Sequence, residues 1–325
     1  MAVWLMLVGG LILLVIGGEL LVRGAVQVAE RLGVSPLVIG LTLVGFGTSA
    51  PELVTSVQAA LNNSPGIAFG NVVGSNMTNL LLILGTSALV TPILVQTSAL
   101  RRDAVIMVGA AVVFAVLSPL LPLGRLIGLA FVGALGFYIY MAFRRESAAV
   151  PDHGAAYDKG LAAQETDPAL APGASASGSM IPSLLIAIAG LGIVVFGGYL
   201  LVNGAVSLAR SFGISETVIG LTIVAVGTSL PELVTSLVAA IRREADVAFG
   251  NIIGSNIYNI LGIAGVTALI APSQVPPQIA SFDNIVMVAV SLLVVAFAYT
   301  GRRIARWEGA VLVAGYAGYV WWLWV

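Results

Sequence analysis

Residues 44–56 read Val44-Gly45-Phe46-Gly47-Thr48-Ser49-Ala50-Pro51-Glu52-Leu53-Val54-Thr55-Ser56, or VGFGTSAPELVTS, and they lie inside a long apolar run. A mid-helix proline costs about 3 kcal/mol. A carboxylate at the centre of a bilayer costs about 2.5–3.5 kcal/mol on insertion scales. Nearly the same string, VAVGTSLPELVTS, returns at 224–236. Carrying that penalty twice, with no packing gain, points to function. In a helix Pro51 has no N–H for the Gly47 carbonyl, its ring collides with that carbonyl, and Gly45 and Gly47 loosen the same turn. The expected result is a kinked or interrupted helix at mid-membrane, with backbone oxygens freed and Glu52 at the break. Such backbone survives at that depth only inside protein or beside a water-filled cavity.

The rest of the chain supports a bilayer setting. Of its 325 residues, 59% are hydrophobic and 9% charged, and the mean hydropathy is +1.05. Soluble domains carry roughly a quarter charged residues. There is no cysteine, so disulfides, thiolate metal sites and cysteine nucleophiles are excluded. The one histidine, His153, lies in a polar stretch, which argues against imidazole ligand clusters and His-based acid–base chemistry. Met1-Ala2-Val3-Trp4 lacks the basic start and cleavage site of a signal peptide, so the first apolar segment is expected to be a retained helix.

A hydrocarbon core of about 30 Å takes roughly 20 apolar residues per helix. That rule predicts an all-α, polytopic membrane protein with spans near 3–22, 36–61, 66–90, 104–121 and 124–143, then near 181–202, 216–241, 246–270, 284–300 and 304–325. The two sets superimpose at an offset of 180, which maps the block at 47–56 onto 227–236, 68–76 onto 248–256, and Asp103 onto Asp283. The domains are therefore a first repeat over 1–146 with its motif at 40–86, and a second over 181–325 with its motif at 220–266. Between them 147–180, rich in Ala, Gly, Ser, Pro and acids, is expected to be a flexible tether. Five spans end on the face opposite their start, so the repeats must be inverted. With Met1 outside, the inner side holds Arg23, Arg31, Arg101, Arg102, Arg144, Arg145, Lys159, Arg242, Arg243, Arg302, Arg303 and Arg306; the outer holds Arg125 and Arg210. Asn62-Asn63 aligns with Arg242-Arg243, equivalent turns on opposite sides. Both termini are expected outside a cell (inner) membrane, and the linker in the cytoplasm.

Thr48 and Ser49 lie on the helix face of Glu52. On the next helix Asn71, Ser75 and Asn79 are spaced i, i+4, i+8. The second repeat supplies Thr228, Ser229, Glu232, Asn251, Ser255 and Asn259. Inversion brings both clusters to the midplane, where two carboxylates and neutral oxygens suit a hard cation. Calcium takes six to eight oxygens; magnesium holds its water too tightly for a dry cage. Two bare carboxylates repel, which makes protons natural competitors. The reading requires the two acids to meet in the protein interior, clear of lipid and of basic partners.

The blocks GTSxPE and GN(V/I)(V/I)GSNxxN resemble the repeats of the calcium/cation antiporter superfamily, most closely prokaryotic sodium/calcium exchangers of the YrbG-like type, over nearly the whole chain apart from the linker. The resemblance implies ten helices, inverted repeats and exchange of Ca2+ for Na+. By position it implies Glu52 and Glu232 as calcium ligands, with Thr48, Ser49, Ser75, Asn79, Thr228, Ser229 and Ser255 as shared or sodium ligands, and oxygens near Gly47 and Gly227. Asn259 departs from relatives that carry aspartate there, which argues against potassium co-transport and leaves H+ as the alternative counter-ion. Ca2+ and Na+ are then transported ions rather than cofactors. The lipid bilayer is the surrounding partner, and nothing points to nucleic acid or an obligate protein partner.

Other features have simpler readings. Gly70-x-x-x-Gly74 and Gly250-x-x-x-Gly254 are patterns for close helix packing. Asn71 and Asn251 are open between bracing and binding. Glu19 is expected to brace its helix, Asp103 and Asp283 to cap theirs, and Trp321, Trp322 and Trp324 to form an interfacial belt. Glycines at 9, 10, 17, 18, 190, 192, 197 and 198 smooth the first helix of each repeat. An intramembrane aspartyl-type protease and a passive channel fit less well, because each acid follows a proline among hydroxyls in a duplicated frame.

Overall fold

Pro51 and Pro231 do not sit inside continuous helices. Each falls in the first turn of a new helix, Ala50–Leu61 and Leu230–Ile241. There a missing N–H costs nothing. The breaks are at Ser49 (φ −91°, ψ 8°) and Ser229 (φ −84°, ψ 10°). At the second the chain bends by 49°. The segments before the breaks are Gly40–Val44 and Gly45–Gly47 in one half, and Glu216–Ile219, Gly220–Val224 and Ala225–Thr228 in the other. This computed structural model describes residues 2–34, 39–95, 98–146, 154–167 and 180–325. Met1, His153, 36–38 of the second expected span and most of the expected tether lie outside the described residues.

The described residues are almost entirely helical, and the same elements recur across the offset. Ala2–Arg31 corresponds to Met180–Phe212. Pro65–Met77, its π-helical continuation Thr78–Ile83 and Leu84–Val90 correspond to Ala245–Ile257, Tyr258–Ala264 and Gly265–Ile270. Ser98–Leu120 and Arg125–Glu146 correspond to Ile279–Thr300 and Arg306–Trp324. The turns after the broken helices are left-handed at matching positions, Asn63 (φ 56°) and Arg243 (φ 65°). Among the described residues seven helices are long and apolar enough to cross a membrane, or up to eight if the bent pair counts as one. The segments 39–61 and 306–324, also expected to span, are helical but fall outside that set.

Burial separates centre from rim. The spans Pro65–Val90 and Ala245–Ile270 are 94% and 89% buried, against 28–39% for the other five. The rim helices turn large apolar side chains outward, among them Leu5, Leu126, Phe137 and Ile285. In water such surface would aggregate; here it faces lipid, and the chain is a multi-pass membrane protein.

Contacts of several kinds cross between the halves. Ile93 and Leu94 pair with Ile304 and Arg303, and Leu123 pairs with Ser273, so the offset maps one pairing onto the other. The helices Ala2–Arg31 and Met180–Phe212 form a glycine seam. A Cβ on Gly10 would fall 2.7 Å from the Leu201 nitrogen, and one on Gly190 2.3 Å from the Leu21 nitrogen.

The expectation of a flexible tether fails at 155–166. Ala155–Thr166 is a helix, with Ala155, Ala156, Asp158, Lys159, Gly160, Ala162 and Ala163 buried. Alanine favours helix, and its small side chains let the linker helix press against the glycine face of Ala245–Ile257. A Cβ on Gly250 would fall 2.3 Å from Asp158 Cβ, and one on Gly254 2.9 Å from the Ala155 oxygen. Asp103 does not cap its own helix but accepts the Ala155 N–H at 2.8 Å. Asp283 accepts the Tyr319 hydroxyl at 2.9 Å. At the far end Arg23, which also pairs with Glu19, donates to Asp167 at 2.7 Å.

Candidate cation site

The two breaks put each acid beside the other half's serine. Ser229 Oγ donates to Glu52 Oε1 at 3.2 Å, and Ser49 Oγ donates to Glu232 Oε1 at 3.3 Å. Both carboxylates are 1% exposed, so they face neither lipid nor water. The second oxygen of each, Oε2, takes no hydrogen bond from the protein. A buried polar atom without a partner costs about 1–3 kcal/mol, and a cation placed between the acids would offset that cost.

The central helices hold the acids in place. Asn71 Nδ2 donates to the Glu52 carbonyl at 3.1 Å and to Ser56 Oγ at 2.9 Å. Asn251 Nδ2 donates to the Glu232 carbonyl at 3.4 Å and to Thr235 and Ser236 hydroxyls at 2.7 Å. Both asparagines therefore brace the acid-bearing helices. Thr228 Oγ1 donates to Asn71 Oδ1 at 2.9 Å.

Other expected residues sit farther from the acids' hydrogen bonds. Ser75 Oγ is buried and unpaired. Asn79 Nδ2 donates to Asn256 Oδ1 at 3.3 Å, while its own Oδ1 is unpaired. Both amide atoms of Asn259 are buried and unpaired. Gly47 and Gly227 press on the first helix, where a Cβ would fall 2.1 Å from Val22 Cγ2 or 2.6 Å from Leu11 Cδ2. A cavity of about 460 Å³ adjoins the first break, with Gly47, Thr48 and Pro51 on one wall, Pro231 and Thr235 on another, and Ala163 of the linker helix. The described residues hold no cluster of three or more acid or imidazole groups. A cation here would meet two carboxylates and neutral oxygens.

One residue that reaches the site from outside its frame was not expected. Lys159, the chain's one lysine and fully buried, donates Nζ to Thr48 Oγ1 at 2.7 Å, Ser255 Oγ at 2.6 Å and Glu232 Oε1 at 3.3 Å. The requirement that the acids be clear of basic partners therefore does not hold for Glu232. The partner comes from the linker helix and not from the frame that carries the acids. Farther along that helix, outside the spans, burial and then the hydrogen bond its protonated form donates to Glu244 push the Glu165 carboxyl up to about 7.

Comparison with known proteins bears on the family and the fold. A family described as "Sodium/calcium exchanger protein" matches residues 2–144 and 182–325, leaving out the linker. A putative antiporter, CaxA, of Alkalimonas amylolytica is 37% identical, over 95% of both chains. The sodium/calcium exchanger MaX1 of Methanosarcina acetivorans is 36% identical over 98% of this chain and 97% of its own. The inner membrane protein YrbG of Escherichia coli is 35% identical over 96% and 93%. The structure of the sodium-calcium exchanger NCX_Mj, soaked with Na+ and Sr2+, superimposes with a TM-score of 0.62 at 33% identity, covering 98% of both chains.

Proposed function

Because this chain belongs to the sodium/calcium exchanger family of antiporters, we propose that it exchanges Ca2+ for Na+ at one mid-membrane site, exposed alternately to either side. The observation that carries this reading is the reciprocal pair of bonds, Ser229 to Glu52 and Ser49 to Glu232. It brings two buried acids from separate halves into one site. Glu52 and Glu232 neutralise a divalent ion. Thr48, Ser49, Thr228, Ser229, Ser75 and Ser255 add hydroxyl oxygens, Asn79 and Asn259 amide oxygens, and the breaks near Gly47 and Gly227 carbonyls. Sodium competes for the same oxygens.

The proposed frame is ten helices in two inverted repeats, 1–146 and 181–325. The matched elements and crossed pairings support it. Both termini lie outside a cell membrane, and the linker enters from the cytoplasmic side, its helix Ala155–Thr166 packed against the span Ala245–Ile257. A second reading, exchange of Ca2+ for H+, draws on the amides at Asn79 and Asn259. With Glu52 and Glu232 as its two carboxylates, the site would take two protons in place of one divalent ion.

The test is calcium flux in proteoliposomes with Na+, K+ and H+ gradients imposed separately. Uptake driven by an outward sodium gradient is expected. Uptake under a pH gradient alone would replace it with the proton reading. Glu52→Gln leaves a bound cation short of a buried counter-charge, a loss of about 3 kcal/mol or ~100-fold in calcium affinity. Unchanged flux in that variant would sink the site.

A further inference from the structure

We infer that the linker helix Ala155–Thr166 is a built-in plug, whose Lys159 ammonium stands in for the transported cation until calcium displaces it. The inference rests on the transport reading of the same site. Lys159 touches three groups of the candidate ligand set, Thr48, Glu232 and Ser255. Lysine carries a compact point charge with rotatable donors on a flexible stem. It can therefore occupy an all-oxygen site as a tethered ion.

The two halves differ where the helix enters. In one, Gly70 and Gly74 press directly on the other half: added Cβ atoms would fall 3.0 Å from Gly220 and 2.6 Å from the Leu221 oxygen. In the other, the matching Gly250 and Gly254 press on Asp158 and Ala155 of the linker helix instead. The hydrogen bonds differ in the same way. Thr228 donates to Asn71, and the offset predicts a twin from Thr48 to Asn251. That twin is not made: Asn251 Oδ1 is unpaired, and Thr48 Oγ1 accepts from Lys159. The linker helix thus fills a cleft that is shut in the opposite half. Asp103 holds its first N–H and Arg23 holds Asp167 at its end, so the docked pose is anchored at both ends. A plain structural brace would bury alanines in the glycine face. It would not bring a lysine to a carboxylate, because burying an ion pair is costly.

Calcium and the Lys159 ammonium draw on the same charge at Glu232 and the same oxygens of Thr48 and Ser255, so each weakens the other by the same factor. If the helix is docked nine-tenths of the time, release lowers the half-saturating calcium about tenfold.

Two measurements on the full-length chain test the plug. In flux assays, Lys159→Ala, and a second variant with 155–166 replaced by a Gly-Ser stretch of equal length, are each expected to lower half-saturating calcium about tenfold without lowering the maximal rate. Because the chain has no cysteine, Ala162→Cys provides a single thiol at a position 1% exposed. Its maleimide labelling is expected to speed up about tenfold when calcium replaces EDTA. In the Ala162→Cys, Lys159→Ala double variant it should be fast without calcium. Labelling indifferent to calcium overturns the plug, and so does half-saturating calcium unchanged in both linker variants while Glu52→Gln abolishes flux. Flux abolished by Lys159→Ala also overturns it, by placing the lysine in the transport step. Calcium-dependent labelling without any Glu52-dependent flux would instead remove the transport reading and keep the plug.

Discussion

Lys159 and Glu165 lie on one helix, and each meets an acid of the second half, Glu232 for the first and Glu244 for the second. The ionisable groups bearing on Glu165 are the Glu244 carboxyl and the Arg242 guanidinium. Its carboxyl rises from the ordinary 4.5 to about 7 in the docked helix. Docking therefore takes up a proton. The contribution is fully present below about 4.5 and is lost as pH rises through about 7. The expected outcome is that Glu165→Gln and the unaltered chain have equal half-saturating calcium near pH 4.5, while above pH 7 the variant stays docked and needs more. Flux titrations of the two chains across that range check it, since any titration at Glu52 and Glu232 is common to both. The acids, hydroxyls and amides of the site were legible in the sequence because they recur at one offset in an apolar setting. Lys159 was legible only as an inner-side charge. A lone cation in an Ala- and Gly-rich stretch has no spacing partner to mark it, and nothing in the second repeat echoes it.

At the scale of elements, the broken helices were readable from Gly47, Pro51, Gly227 and Pro231, since each of those residues has a direct backbone consequence. The π-helical segments Thr78–Ile83 and Tyr258–Ala264 were not, because no residue type signals an i→i+5 turn as proline signals a break. The linker helix was missed for another reason. Its buried face is alanine, glycine and two charges, so it carries no hydrophobic stripe, and its packing depends on Gly250 and Gly254 of a distant helix. The glycine seam between Ala2–Arg31 and Met180–Phe212 offers a test within one element. Gly190→Ala puts a methyl group 2.3 Å from the Leu21 nitrogen, whereas nothing lies within 4 Å of the same group at Gly192. Overpacking of this kind costs about 1–3 kcal/mol. Thermal unfolding in detergent should show Gly190→Ala clearly destabilised and Gly192→Ala unchanged.

For the whole molecule, Asn62 and Arg242 are both exposed at matching turns, and the proposed inversion would put them on opposite sides of the membrane. In vesicles of known orientation, a membrane-impermeant maleimide is expected to reach Asn62→Cys only from the outer side and Arg242→Cys only from the inner. Labelling of both from one side would refute the inversion. The offset and the arginine distribution are what the proposed topology draws on; which cleft is shut and which is filled was not legible, because a sequence repeat describes two equal halves. The crossed pairings, Ile93–Leu94 with Arg303–Ile304 and Leu123 with Ser273, carry a mechanical consequence. They rivet the connections of one half to those of the other at two corners, so neither half can tilt alone without tearing a rivet. On the proposed transport reading, a stroke that opens the site would fall to the pair packed along the seam, Ala2–Arg31 and Met180–Phe212, travelling as a single rigid bar across a braced frame.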